Sequence, residues 1–192
     1  MSHCRLEKMF ASMPEHIKVK AIHDHIQELS TTGELAKAHG LFDSLCSLPD
    51  HDTIKAQSAW QLVRHFINHA SLTKAQACYG VLEGLEQSDI VQEIRAKAAH
   101  ILVNALLPQY PHDACHIWLN LAGKLSSNGL EWLLARTGLL LLQHAYQHSD
   151  TAMMRTIYQA LRCLPPAPHS QNFMAQAEKI MQRQGIGNSV KN

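Results

Sequence analysis

Four copies of one spacing constrain this chain more than any other feature: a small residue, an aromatic four positions on, and a leucine three beyond. Ala38-Phe42-Leu45, Ala75-Tyr79-Leu82 and Ala114-Trp118-Leu121 follow it, and Met154-Tyr158-Leu161 repeats it with methionine in the small position. The copies start 37, 39 and 40 residues apart. A period of that length marks an array of supersecondary units, none of which can bury its apolar face alone. Steps of four and three place all three side chains on one face of a helix. Each copy therefore presents the same stripe, in which the small residue admits a close partner and the aromatic fills the gap to the next hairpin.

Between the copies, apolar positions at helical spacing recur from Ile17 to Met181, and no stretch alternates long enough to form a strand. The fold class is all-α. Breaks at Thr31-Thr32-Gly33, Leu48-Pro49-Asp50, His69-Ala70-Ser71, Gln87-Ser88-Asp89, Pro108 to Pro111, Ser126 to Gly129, His148-Ser149-Asp150 and Pro165 to Pro168 divide it. They predict helices over 15–31, 34–48, 52–69, 72–86, 89–107, 112–125, 128–148, 151–163 and 169–184. Asp50, Ser88 or Asp89, Ser127 or Asn128, and Ser149 or Asp150 are placed to cap the helices that follow them.

Gly33, Ala38, Phe42, Leu45 and Pro49 in the first copy resemble the second helix of a tetratricopeptide repeat. The tryptophan-leucine-glycine-tyrosine signature of that family's first helix is absent, although Trp60, Leu62, Val63 and Phe66 occupy a comparable stretch. The resemblance covers residues 15–184. It implies antiparallel helical hairpins stacked in a right-handed superhelix of about nine helices. Residues 1–14 form an N-terminal segment in which Leu6, Met9, Phe10 and Met13 suit a short capping helix. Residues 185–192 lack apolar anchors and read as a flexible tail.

The residues that chemistry would need are missing. No GxSxG, HExxH, GxxxxGK or GxGxxG is present, so no catalytic residue is assigned and the chain reads as no enzyme. A net charge of +1, with Lys18, Lys20, Arg64, Lys74, Arg95, Lys97, Arg136, Arg155 and Arg162 scattered as solvated or salt-bridged groups, argues against nucleic acid. Fourteen histidines include three pairs spaced i,i+4: His65 with His69, His112 with His116, and His144 with His148. Such a pair can reach one zinc or nickel ion but still needs a third ligand, so no metal and no cofactor is assigned. A His-rich metal-binding or metal-responsive helical protein is the alternative reading. Five cysteines, at 4, 46, 78, 115 and 163, lack CxxC spacing and read as reduced, the last four as small buried hydrophobes. The N-terminal residues hold no apolar signal core and no segment approaches 18 apolar residues, which predicts a cytoplasmic chain without membrane contact.

The resemblance implies a function as well: a non-enzymatic scaffold, adaptor or chaperone, of the kind that serves bacterial secretion or assembly. It would cradle a peptide or helix of a partner protein on the concave side, lined by the first helix of each hairpin. Carried over from the matched alanines, that side holds Lys20, His23 and Gln27 from the first hairpin. Gln57, Trp60, Arg64 and Asn68 follow from the second, and Arg136, Gln143, Tyr146 and Gln147 from the fourth. In the third hairpin the same register lands on Ala99, Val103 and Leu106, which is either an apolar groove floor or a register error. Trp60 is equally suited to core or groove. A homo-oligomer through the end helices would need Phe10 or Phe173 exposed in the single chain.

Overall fold

The structure, a computed structural model, describes residues 13–86, 88–124, 129–167 and 169–185. Among the described residues it is all-α, with no strand. The helices are α1 (Glu15–Thr31), α2 (Leu35–Cys46), α3 (Asp52–Asn68), α4 (Leu72–Gly84), α5 (Asp89–Leu106), α6 (Pro111–Ala122), α7 (Glu131–Gln147), α8 (Thr151–Cys163) and α9 (Gln171–Arg183). Asp150 caps α8 as expected, its Oδ1 accepting from the Met153 N–H at 2.9 Å, and Ser88 Oγ accepts from the Val91 N–H at 3.4 Å. The expected cap at Asp50 is displaced. Asp50 and His51 both take left-handed backbone, with φ of 55° and 60°, so His51 becomes the N-cap and its carbonyl accepts from Ile54 and Lys55. Ser127, Asn128 and the expected capping segment with Leu6, Met9 and Phe10 lie outside the described residues.

The chain divides into two compact units, one ending at Arg95 and the other starting at Ala96, so the division falls within α5. In the first unit α1 packs on α2 and α3, α2 packs on α3, and α3 packs on α4. Both repeat stripes of this unit, Ala38-Phe42-Leu45 and Ala75-Tyr79-Leu82, are at most 2% exposed. Val19, Ile22 and Ile26 of α1 and Ala59, Leu62 and Phe66 of α3 complete the core. Arg95 is also inside it. Its Nε donates to the Leu82 carbonyl at 3.0 Å and its Nη2 donates to Leu82 and Leu85, satisfying carbonyls left over where α4 ends. The solvated role expected for Arg95 is thus replaced by that of a buried cap reaching across from the next helix.

In the second unit α6 packs on α7 and α8, α7 on α8 and α9, and α8 on α9. Trp118 is fully buried and its indole Nε1–H donates to the Leu134 carbonyl at 3.0 Å. Gly138, one helical turn beyond Leu134, makes room for the ring: a Cβ there would stand 2.5 Å from Trp118 Cζ2 and 2.7 Å from Leu161 Cδ2. α9 closes this unit with Ala177 and Met181 buried and with Phe173 and Ile180 half-buried. Cys78 and Cys115 are buried and Cys46 half-buried, and burial pushes their thiols up to about 12, 11 and 11 respectively. Cys163 departs from expectation. It is exposed, because it lies two residues beyond the stripe residue Leu161 and therefore on the far side of α8.

No helix among the described residues is long and apolar enough to cross a membrane. The contact at Gly138 gives a direct test of the packing. Gly138→Ala is expected to destabilise the chain by about 1–3 kcal/mol through overpacking. Gly80→Ala, in α4 where nothing lies within 4 Å, is expected to stabilise it by roughly 0.5–1 kcal/mol. Urea denaturation of both variants checks the pair of opposite signs.

Candidate functional site

The core uses one side of each first helix, and what remains outward is a polar row. On α1 the row runs through exposed Lys20, half-buried His23 and exposed Gln27. On α3, which packs beside α1, it runs through exposed Gln57, half-buried Trp60, exposed Arg64 and exposed Asn68. Trp60 is therefore neither core nor free surface. The Arg64 guanidinium lies over its ring, 5.6 Å from the centroid, a cation–π contact that holds an otherwise mobile arginine on the row. His23 Nδ1 and Ser58 Oγ, 2.8 Å apart, tie the two helices together beneath this surface.

The second unit repeats the pattern on α5 and α7, with one correction to the register. The burial pattern of α5 repeats that of α3 forty residues on, with Ala96, Ala99, Leu102, Val103 and Leu106 buried where Ala56, Ala59, Leu62, Val63 and Phe66 are. The first-helix offset is therefore 40, one more than the 39 that separates Ala75 from Ala114, and Lys97, His100 and Asn104 take the positions of Gln57, Trp60 and Arg64. Ala99, Val103 and Leu106 are buried, which removes the apolar groove floor from consideration. Lys97 and Asn104 are exposed and His100 is half-buried. On α7, Arg136 and Gln147 are exposed, and Gln143 and Tyr146 are half-buried. Leu139 stands at the position of Trp60 and is buried.

His100 and Thr137 were not legible as a pair in the sequence, yet His100 Nδ1 lies 2.8 Å from Thr137 Oγ1. The available signal was a histidine recurring at one register position, with a hydroxyl roughly one repeat later each time. Of the i,i+4 histidine pairs, His144 and His148 stack with ring centroids 4.1 Å apart, and His148 Nδ1 bonds the His144 carbonyl at 2.9 Å. Among the described residues no group of three or more His, Cys, Asp or Glu side chains is gathered as a metal site would require. A cleft of 330 Å³ between the end of α8 and the start of α9 is lined by Leu161, Leu164, Pro165, Pro166, Met174 and Glu178 among others. None of the residues expected in the partner row reaches it.

On α3 and α7 acidic residues avoid the row. After Asp52 at its first position α3 has no carboxylate, and after Glu131 at its first position α7 has none. Carboxylates in a first turn favour the helix N-terminus, and their confinement there leaves cations, amides and an aromatic to face outward. The chain matches no family model, and no curated protein and no solved structure matches it.

Burial lowers the imidazole pKa of His23, His65, His100 and His144. Neighbouring cations assist at His65 and His100, while Asp24 opposes at His23. The unfolded chain therefore takes up more protons as pH falls through about 6.5. Folding stability is expected to be fully present above that value and to decline as pH is lowered toward the folded-state values. Urea midpoints at about pH 7.5 and about pH 5.5 check this, a lower midpoint at the lower pH being the expected result.

Proposed function

We propose that this chain is a non-enzymatic protein-binding scaffold of the tetratricopeptide-like kind, its hairpins stacked as a right-handed superhelix. Partner proteins would dock a peptide or helix on the outward rows of the first helices. The observation that carries this reading is the row itself: in each unit the apolar side of the first helices is consumed inside. The outer side is a run of cations and amides without a carboxylate on α3 or α7 beyond the first residue. In the first unit it also offers a half-buried tryptophan clamped by an arginine, the residue types that carry most binding energy at protein interfaces. Such a surface suits a partner segment rich in carboxylates or backbone carbonyls, because every group on it can donate a hydrogen bond or cover a chain. The adaptor or chaperone role and the cytoplasmic setting belong to the same proposal.

Site-specific photocrosslinking tests it. A crosslinker placed at Gln57 or Gln143 in the native host is expected to capture one stoichiometric partner. The double variant Trp60→Ala, Arg64→Ala, at unchanged helicity, is expected to weaken capture at Gln57 by at least about tenfold, the loss of a single hot-spot residue being worth about 2 kcal/mol. Equal capture by the variant, or capture only from positions on the second helices, would move the interface off the row.

A further inference from the structure

One hydrogen bond occurs twice. His23 Nδ1 and Ser58 Oγ join α1 to α3 in the first unit, and His100 Nδ1 and Thr137 Oγ1 join α5 to α7 in the second, each at 2.8 Å. The two histidines are 77 residues apart and the two hydroxyls 79, so both bridges stand at the same positions of the repeat. In each case the first helix of one hairpin is tied to the first helix of the next.

The surroundings of His100 fix its protonation state. Thr137 Oγ1 donates to the Leu133 carbonyl at 2.7 Å, which occupies the hydroxyl's only proton. The ring must then be the donor, with its hydrogen on Nδ1. The other nitrogen, Nε2, keeps its lone pair and lies 3.4 Å from the side-chain amide nitrogen of Asn104, which also donates to the His100 carbonyl at 2.9 Å. Both ring nitrogens are engaged in a way that only the neutral imidazole allows.

We propose that the two bridges form a duplicated proton-sensitive latch, holding consecutive first helices together while the imidazoles are neutral and releasing them when a proton is taken up. A proton on His100 Nε2 sets two donors against each other, the new N–H and the Asn104 amide. It also places a charge on a half-buried ring that already feels Arg136 of α7. No carboxylate stands close along either helix: the last on α5 is Glu93, and the only one on α7 is Glu131. Turning the ring out to water relieves both penalties and gives up Thr137. At His23 the balance differs, because Asp24 on the same helix favours the charged form, although burial outweighs it. From α3 the row brings the Arg64 cation toward the same face, while Lys37, His39 and Asp43 of α2 lie outside that helix's buried stripe. The latch of the first unit therefore opens before that of the second as pH falls.

Histidine nitrogen and carbon NMR of the full chain across this range, with hydrogen exchange on the same samples, tests the latch. The expected results are an Nδ1–H tautomer for His100 and titration of both rings below the ordinary imidazole value, His100 later than His23. Protection of residues 19–29, 56–66, 96–106 and 133–145, corrected for intrinsic exchange, is expected to fall roughly threefold or more between about pH 7.5 and about pH 5.5. The variant His23→Asn, His100→Asn can bond the hydroxyls but cannot charge, and is expected to reduce that fall, most at residues 19–29 and 96–106, leaving only the share that His65 and His144 contribute. An Nε2–H tautomer for His100, titration at or above the usual imidazole value, or the same fall in the variant would overturn the proposal. Should the variant not fold, the tautomer and titration order of the unaltered chain decide.

Discussion

A tryptophan seated on a glycine sets the spacing of the second unit. Trp118 of α6 is fully buried and brings an indole N–H that must find an acceptor, and the Leu134 carbonyl of α7 supplies it at 3.0 Å. That bond requires the ring to lie against the α7 backbone, which only a residue without a Cβ permits. The same missing carbon is shared: Leu161 of α8 reaches into it from the other side. One glycine thus fixes how closely two helices approach a third. At the equivalent place in the first unit the sequence has Ala59, and the preceding stripe carries the smaller ring of Phe42. The sizes exchange as close packing demands, a larger ring being met by a smaller residue.

Because the apolar sides are spent on this packing, the outward rows alone are left to meet another molecule. The overall charge of +1 conceals their character. Acidic residues are placed at the starts of α3 and α7, where the helix dipole welcomes them, and Asp52 goes further by accepting from the Glu86 N–H at 2.6 Å. The bodies of those helices are then free of negative charge on the row. A balanced composition therefore yields a locally one-sided surface, and a whole-chain charge argument about partners does not extend to the row.

Helix positions were legible because the 3.6-residue period and the repeated stripe are local signals, and the nine expected segments match the observed helices to within a few residues at each end. Register between hairpins was not, since it depends on loop length. The first helices of the second and third hairpins stand 40 residues apart and their second-helix alanines 39, so the alanine offset carried over placed the expected row on Ala99, Val103 and Leu106 and hid Lys97, His100 and Asn104. Asp50 failed as a cap for a reason composition does not reveal, two successive residues in left-handed backbone. Arg95 looked like one more surface cation, and its role as a buried cap depends on where α4 ends, which a one-dimensional pattern places poorly. The histidine pairs at i,i+4 drew notice through proximity in sequence, while the contacts that bind histidines into the fold span 35 and 37 residues.

The pairing of imidazole with hydroxyl follows a rule that the repeat itself exposes. At the Trp60 register the four first helices carry His23, Trp60, His100 and Leu139, and two positions before it they carry Ala21, Ser58, Ala98 and Thr137. Histidine and alanine thus alternate with a large apolar residue and a hydroxyl, twice over. Ser58 and Thr137 are both at most 2% exposed, and a hydroxyl so placed needs a partner. Thr137 can bond its own helix, but a histidine one hairpin earlier adds a bond that joins neighbours, and the histidine in turn remains close enough to water to titrate. The repeating unit of this chain, read through its polar contacts, is two hairpins long, twice the period that the apolar stripe displays.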